Sequence, residues 1–477
     1  MTPLGYILLP VGFAGLLTST RWLYRLFVFW TLFSATSVLN VGSADNASAV
    51  QVWMFFAALW ILRLGMERVS LLSFSIDNRL KRMSFWMIAF LGVATLSLVM
   101  PALINGNLRI ASPILGSNDE TPLFLSGHNI TQLLYLIFGG TVAICVAHVN
   151  LDDESREETE RLILYSGLFI ACWGIFQFLC NVTGFPYPDF LLNNSGSASG
   201  KGFSQMLDTG VSRVSSAAVE PSVLAQALLS LLPLTLPAWQ KKGFVFSRRR
   251  DRLLTVLFIV VLILSTSSTA YLGLAVLGVM YILHSVRTGS FSKTKAVFVL
   301  ALTGILAAGV VAVAFLSVPV LSPLINTLLL SKASSGSGLE RAMTIALAFG
   351  YFRKYPILGI GWGSATSHDV IVKLLSNVGI VGTIVFFGAI FSVVRSNWRK
   401  ISSRNSPLDL SRQVWLMSLV CFVVTSILIE FPLPFGNFWI VLGMAMATGC
   451  RSTTARDLPV PLRQRRIVTR APLQTEI

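Results

Sequence analysis

The chain has 477 residues, 54% apolar and only 12% charged, with a mean hydropathy of +0.72 and a formal net charge of +16. This composition excludes a soluble domain of such length and, with repeated charge-poor runs of about 18 residues or more, describes an all-α polytopic membrane protein. The basic excess sits in connections between apolar runs, so it reads as an orientation signal and not as a nucleic-acid arm. The opening stretch MTPLGYILLPVGFAGLLTST has no basic n-region and no small-residue cleavage site, which predicts a retained helix. Further apolar windows follow, and together the predicted spans are residues 3–19, 26–42, 48–65, 84–103, 129–148, 162–181, 219–238, 253–268, 270–285, 296–317, 370–394, 414–430 and 434–449. That gives about 12–14 transmembrane helices, the pair around STSSTAYLG being nearly fused. Residues 1–159 hold the N-terminal helices, 160–450 form a membrane core, and 451–477 are a basic tail expected to be disordered and cytoplasmic.

Of the 37 lysines and arginines, 29 fall in alternate connections and in the tail, against seven on the other side. Basic loops resist translocation and favour anionic cytoplasmic lipid, so this split places the C-terminus inside. The acidic run NLDDESREETE then faces the cytoplasm and reads as a solvated loop. No Walker A, dinucleotide-binding, HExxH or CxxC pattern occurs, and the five cysteines show no metal spacing; neither a cofactor nor a metal is expected.

The outer side departs from minimal connections in two long loops, about 182–218 and 318–369. The first ends in SRVSSAAVEPS, where Arg213 and Glu220 stand at the mouth of an apolar helix. In the second, Leu339, Met343, Leu347 and Tyr351 recur every four residues and predict an amphipathic helix ended by Pro356. Gly359, Gly361 and Gly363 then flank Trp362, a backbone able to turn tightly and approach a ligand, before His368 and Asp369 open the next span. Charge placed where the sorting rule disfavours it needs another reason.

These elements, Arg-x6-Glu-Pro-Ser-x2-Ala at 213–225, Glu-Arg at 340–341, Pro-x-Leu-Gly-x-Gly-Trp-Gly at 356–363 and His368 before LLSNVGIVG, resemble the O-antigen polymerase and ligase superfamily over roughly residues 160–450. The resemblance implies a GT-C-like helical fold and a bacterial inner-membrane glycosyltransferase that uses polyprenyl-diphosphate-linked oligosaccharide as donor and acceptor outside the cytoplasm. Membrane lipid, a chain-length regulator and a flippase are the partners it implies, and nucleic acid is not among them. Glu-Pro-Ser, where a ligase would carry Asp-Pro-Asn or similar, favours the polymerase branch over the ligase.

The chemistry fits those residues. Arginine forks pair with two phosphate oxygens at once, so Arg213 and Arg341 are candidates for the donor diphosphate, Arg341 also for stabilising charge on the leaving group. His368 can accept the acceptor proton or donate to phosphate. Glu220 is either a base or the partner that orients Arg213. Gly361, Gly363 and Glu430, an acid near membrane depth, complete the expected substrate-binding set. The plainer readings are that the outer arginines, Arg353 and Lys354 above all, hold lipid phosphates, that the glycines only make a turn, and that Asp369 is a helix cap. A flippase or transporter is the alternative from another class, and would show polar or broken helices near the bilayer midplane.

Overall fold

The computed structural model describes residues 1–41, 48–70, 78–111, 120–196, 213–239, 244–287, 336–401, 407–429 and 435–450. The expected span 296–317, Glu430 and the 451–477 tail lie outside them. The described elements are α1 (Pro3–Thr18), α2 (Thr20–Trp30), β1 (Ser37–Val41), β2 (Ser48–Gln51), α3 (Val52–Ser70), α4 (Asn78–Ser97), α5 (Val99–Ile104), β3 (Arg109–Ala111), β4 (Glu120–Pro122), α6 (Gly127–Val149), α7 (Asp153–Thr183) and α8 (Asp189–Leu192). They continue with α9 (Pro221–Thr235), α10 (Arg248–Leu264), α11 (Ser268–Arg287), α12 (Gly336–Lys354), α13 (Val370–Lys400), α14 (Pro407–Thr425) and α15 (Gly436–Cys450).

Among the described residues, six helices are long and apolar enough to cross a membrane: Asn78–Ile104, Gly127–Val149, Asp153–Thr183, Pro221–Trp239, Val370–Lys400 and Pro407–Thr425. Three shorter apolar helices, Pro3–Thr18, Ser268–Leu283 and Gly436–Cys450, accompany them. The protein is therefore a multi-pass helical membrane protein. Helices α3 and α10 stand where spans were expected at 48–65 and 253–268, and both carry charges in an end turn.

Two sequence expectations are corrected, and a third is met. The span at 26–42 is not one helix: α2 stops at Trp30, and the chain turns into β1, which pairs antiparallel with β2. The apolar run 26–42 is ambiguous between helix and buried strand, and the β-branched, Ser-containing SVLNV stretch takes the strand. The nearly fused pair near STSSTAYLG is two helices, as expected, α10 and α11 being separated where Thr266 adopts φ 47°. The acidic run is not a loop. Asp152 caps α7 by accepting from the Ser155 amide at 3.0 Å, and the acidic residues form the helix's first turns. There Glu158 pairs with Arg21 at 2.7 Å and Arg25 at 2.5 Å.

At the centre lies α9, buried along its whole length and packed on α14, α11, α10 and α7. Helix α15 is equally buried, against α6, α14 and α13. Around them, α4 packs along α13, and α2 along α3. The outer faces keep large apolar groups exposed, Ile384 and Phe391 of α13 and Phe85 and Ile88 of α4 among them, as a lipid-facing surface requires. The β3–β4 ribbon forms a separate small cluster with α12, in which Ile110 and Leu123 meet Tyr351, and the Tyr351 hydroxyl accepts from the Ala111 amide at 3.0 Å.

Candidate functional site

Helix α9 begins without a conventional side-chain cap. Glu220 takes the N-cap position with extended backbone (φ −149°, ψ 156°), and Pro221 follows at the first helical position, where its missing N–H costs nothing. The carboxylate instead accepts from Ser222 Oγ at 2.9 Å. The approach to it is rigid. Residues 214–219 are buried, and their backbone is bonded to the surrounding elements: the Ser215 and Ser216 amides donate to Gln177 Oε1 at 2.9 and 2.7 Å. The Ala217 carbonyl accepts from Ala35 at 3.0 Å, and the Val219 amide donates to Ser34 Oγ at 3.2 Å. This strut leaves Arg213 at one end and Glu220 at the other.

Arg213 Nε donates to Thr266 Oγ1 at 3.2 Å, in the turn between α10 and α11. Its partial burial pushes the guanidinium below the usual arginine range; the Glu220 carboxylate opposes that shift, and the like charge of Arg341 adds to it. Those couplings bring Arg213, Glu220 and Arg341, three of the residues singled out from the sequence, into one electrostatic neighbourhood.

Arg341 reaches the same place from α12. Its Nη1 donates to the Leu428 carbonyl at 3.0 Å, just beyond the end of α14. One turn along α12, Thr344 Oγ1 donates to the Arg341 main-chain carbonyl at 3.0 Å and shares a 3.0 Å hydrogen bond with His368 Nδ1, which ties His368 to the turn of α12 that carries Arg341. The turn after α14 binds the remaining pieces together: the Ser426 carbonyl accepts from Val370 at 3.3 Å, and Gln226 Nε2 of α9 donates to Ser426 Oγ at 3.0 Å. Four separated segments, 213–220, 341–344, 368–370 and 426–428, thus meet at one end of the bundle. Asp369 serves as the cap of α13, its Oδ1 accepting from Ile371 and Val372 at 2.7 and 2.9 Å.

The glycine motif is packed against a neighbouring helix. Helix α13 is broken at Gly379 (φ 64°, ψ −168°), and the loop 356–361 is laid into the break. The Ile380 amide donates to the Pro356 carbonyl at 2.8 Å and Val381 to Ile357 at 3.4 Å, while Ile360 and Gly361 donate to the carbonyls of Ser376 and Asn377 at 2.8 and 3.1 Å. Backbone freed by the kink is thereby satisfied by protein, as a low-dielectric surrounding demands. Gly361 and Gly363, both at positive φ, press on neighbouring helices: a Cβ on Gly361 would lie 2.5 Å from Pro101 Cδ, and one on Gly363 2.9 Å from Gln132 Cβ. These two glycines meet packed protein, and their positions account for themselves through the turn. Trp362 between them is buried, its amide donating to Ser97 Oγ at 3.0 Å and its carbonyl accepting from Asn129 at 2.7 Å.

Thr266, Thr344 and the Leu428 carbonyl were not foreseen. Thr344 carries the one signal available in sequence, its spacing of three from Arg341 on a helix, which puts both on one face. No protein-family model matches the chain, and no curated protein matches it.

Proposed function

We propose that this protein is a membrane glycosyltransferase that polymerises polyprenyl-diphosphate-linked oligosaccharide repeat units on the extracytoplasmic side of a bacterial inner membrane, within a GT-C-like bundle. The observation that carries this reading is the meeting of two arginines, a carboxylate and an imidazole from three segments, tied together by a fourth, at one end of the bundle. A lipid diphosphate is the substrate that asks for such a set, with its tail in the bilayer and its charge at the rim. Arg213 and Arg341 hold the diphosphate oxygens, and Glu220 orients Arg213 and tempers the repulsion between the two cations. The acceptor hydroxyl oxygen attacks the anomeric carbon; the bond from that carbon to the phosphate oxygen breaks, and the electron pair leaves with the lipid diphosphate. His368, held at Nδ1 by Thr344, takes the hydroxyl proton. The arginines contribute most as charge builds on the departing oxygen.

A broken helix also occurs at transporter sites, where unwound backbone binds the substrate. In α13 those backbone groups are bonded by residues 356–361, which favours a structural kink. The deciding experiment incubates purified protein in nanodiscs with a polyprenyl-diphosphate oligosaccharide. A ladder of lengthening products supports the polymerase. Single transfer to a different acceptor identifies the ligase reaction, and movement across the bilayer without a new glycosidic bond identifies a flippase.

A further inference from the structure

At the opposite end of the bundle, α4 and α13 run antiparallel and enclose a groove of about 780 Å³. Five cations line it: Arg79 and Arg82 from the first turns of α4, and Arg395, Arg399 and Lys400 from the last turns of α13. No carboxylate is among the eleven lining residues. Arg79 and Lys400 turn partly to the end of α15, donating to the carbonyls of Cys450 (3.0 Å) and Gly449. Arg82, Arg395 and Arg399 form no ion pair among the described residues and remain exposed. One turn deeper the lining changes character. Trp86, four residues beyond Arg82, and Phe391, four before Arg395, present exposed aromatic faces, and the Trp86 ring lies against the bare backbone of Gly388.

We infer that this groove is a binding site for an anionic phospholipid, its phosphate held by Arg82, Arg395 and Arg399 and its acyl chain laid along Trp86 and Phe391. The layering is what selects the ligand. A free phosphate would use the cations and leave the aromatic wall idle, whereas a phosphodiester lipid in the bilayer matches both layers at the depth where each lies. Loop cations that only orient the chain need not converge from two helices on one concavity, nor have an apolar wall beneath them. The site lies across the bundle from the Arg213–His368 cluster and does not depend on the function assigned there.

Native mass spectrometry of the full chain, delipidated and titrated with phosphatidylglycerol, phosphatidylcholine or glycerol 1-phosphate, tests this directly. One phosphatidylglycerol should be retained with about tenfold or greater preference over phosphatidylcholine, and the preference should vanish in R82Q/R395Q/R399Q. An equal number of exposed cations removed elsewhere on the same end, in R161Q/R249Q/R250Q, should leave retention unchanged. Equal losses in both triple variants would mean a diffuse surface charge effect and overturn the site, and competition by glycerol 1-phosphate at matched concentration would overturn the lipid assignment. If the triple variant does not fold, a diazirine-bearing phosphatidylglycerol on the unaltered protein decides the matter. Labelling concentrated on the peptides containing Trp86 and Phe391 supports the site; labelling spread evenly over lipid-facing helices refutes it.

Discussion

A histidine that only packs a helix end and a histidine that moves a proton look alike in sequence, and His368 differs between the two cases in what its loss does. Its side chain is half-buried at the rim, so His368→Ala should leave insertion and abundance intact. If it handles the acceptor proton, transfer should fall about a hundredfold or more at matched protein levels, with single lipid-linked repeats accumulating. Normal polymer from this variant would remove it from the chemistry. Arg341 poses a subtler question, because its bond to the Leu428 carbonyl gives it a structural task as well. Arg341→Lys keeps the charge and can still donate to one carbonyl, but cannot grip two phosphate oxygens in one plane. Polymer yield in Arg341→Lys should therefore drop nearly as far as in Arg341→Ala, and a lysine variant as active as the parent would leave only the pin to Leu428. These charged residues were legible in the sequence because they stand beside apolar runs in connections otherwise poor in basic residues. Their partners were not, since a carbonyl at Leu428 and a hydroxyl at Thr266 gain meaning only when distant segments are packed together.

Among the elements, α13 shows how a sequence motif and its purpose come apart. The glycines around Trp362 were legible as a tight turn, but nothing local said that the turn would fill a break in a helix that reads as one apolar run. The signal was Gly379, and an isolated glycine in an apolar span is ordinary. A Cβ there would lie 2.1 Å from the Ile357 carbonyl oxygen, and the backbone sits at a positive φ that side chains disfavour. Gly379→Ala should therefore cost roughly 1–3 kcal/mol, read as lost monodisperse protein after mild heating in detergent. Gly350→Ala, near the end of α12 with nothing within 4 Å of the added carbon, should be neutral or stabilising by about 0.5–1 kcal/mol in the same assay. Equal behaviour of the two would mean that the break in α13 is not held by the loop. The misread elements have one cause: apolar windows register hydrophobicity and not hydrogen bonding. Residues 26–42 were joined although a strand follows α2, and the acidic turns of α7 were cut away although the helix runs through them to Thr183.

Over the whole molecule, the contacts sort connections into two ends, and the sorting agrees with the alternation of basic residues along the chain. At one end, Ala35 meets Ala217, Ser37 meets Asn194, Arg213 meets Thr266, Ala111 meets Tyr351 and Arg341 meets Leu428. At the other, Arg21 meets Glu154 and Glu158, Ser411 meets Glu160, Arg412 meets the Thr448 carbonyl and Arg79 meets that of Cys450. The buried Arg412–Asp409 pair, at 2.8 Å, belongs to this second end. Packing alone says which connections lie together; the uneven share of lysine and arginine predicts which end stays inside, because the membrane potential and anionic lipid act on cations and not on folds. A reporter that works only outside the cytoplasm should accordingly be active when fused after residue 200 or 335, and silent after residue 245 or 405. The four fusions probe both long outer loops and two of the most basic connections, so a single misplaced helix would disturb neighbouring sites and leave the others as expected. Reversal at two or more of them would turn the bundle over. Arg213, Glu220, Arg341 and His368 would then face nucleotide-sugar pools in the cytoplasm, where a lipid-diphosphate polymerase has no reason to work, and the proposed activity would fall with the topology.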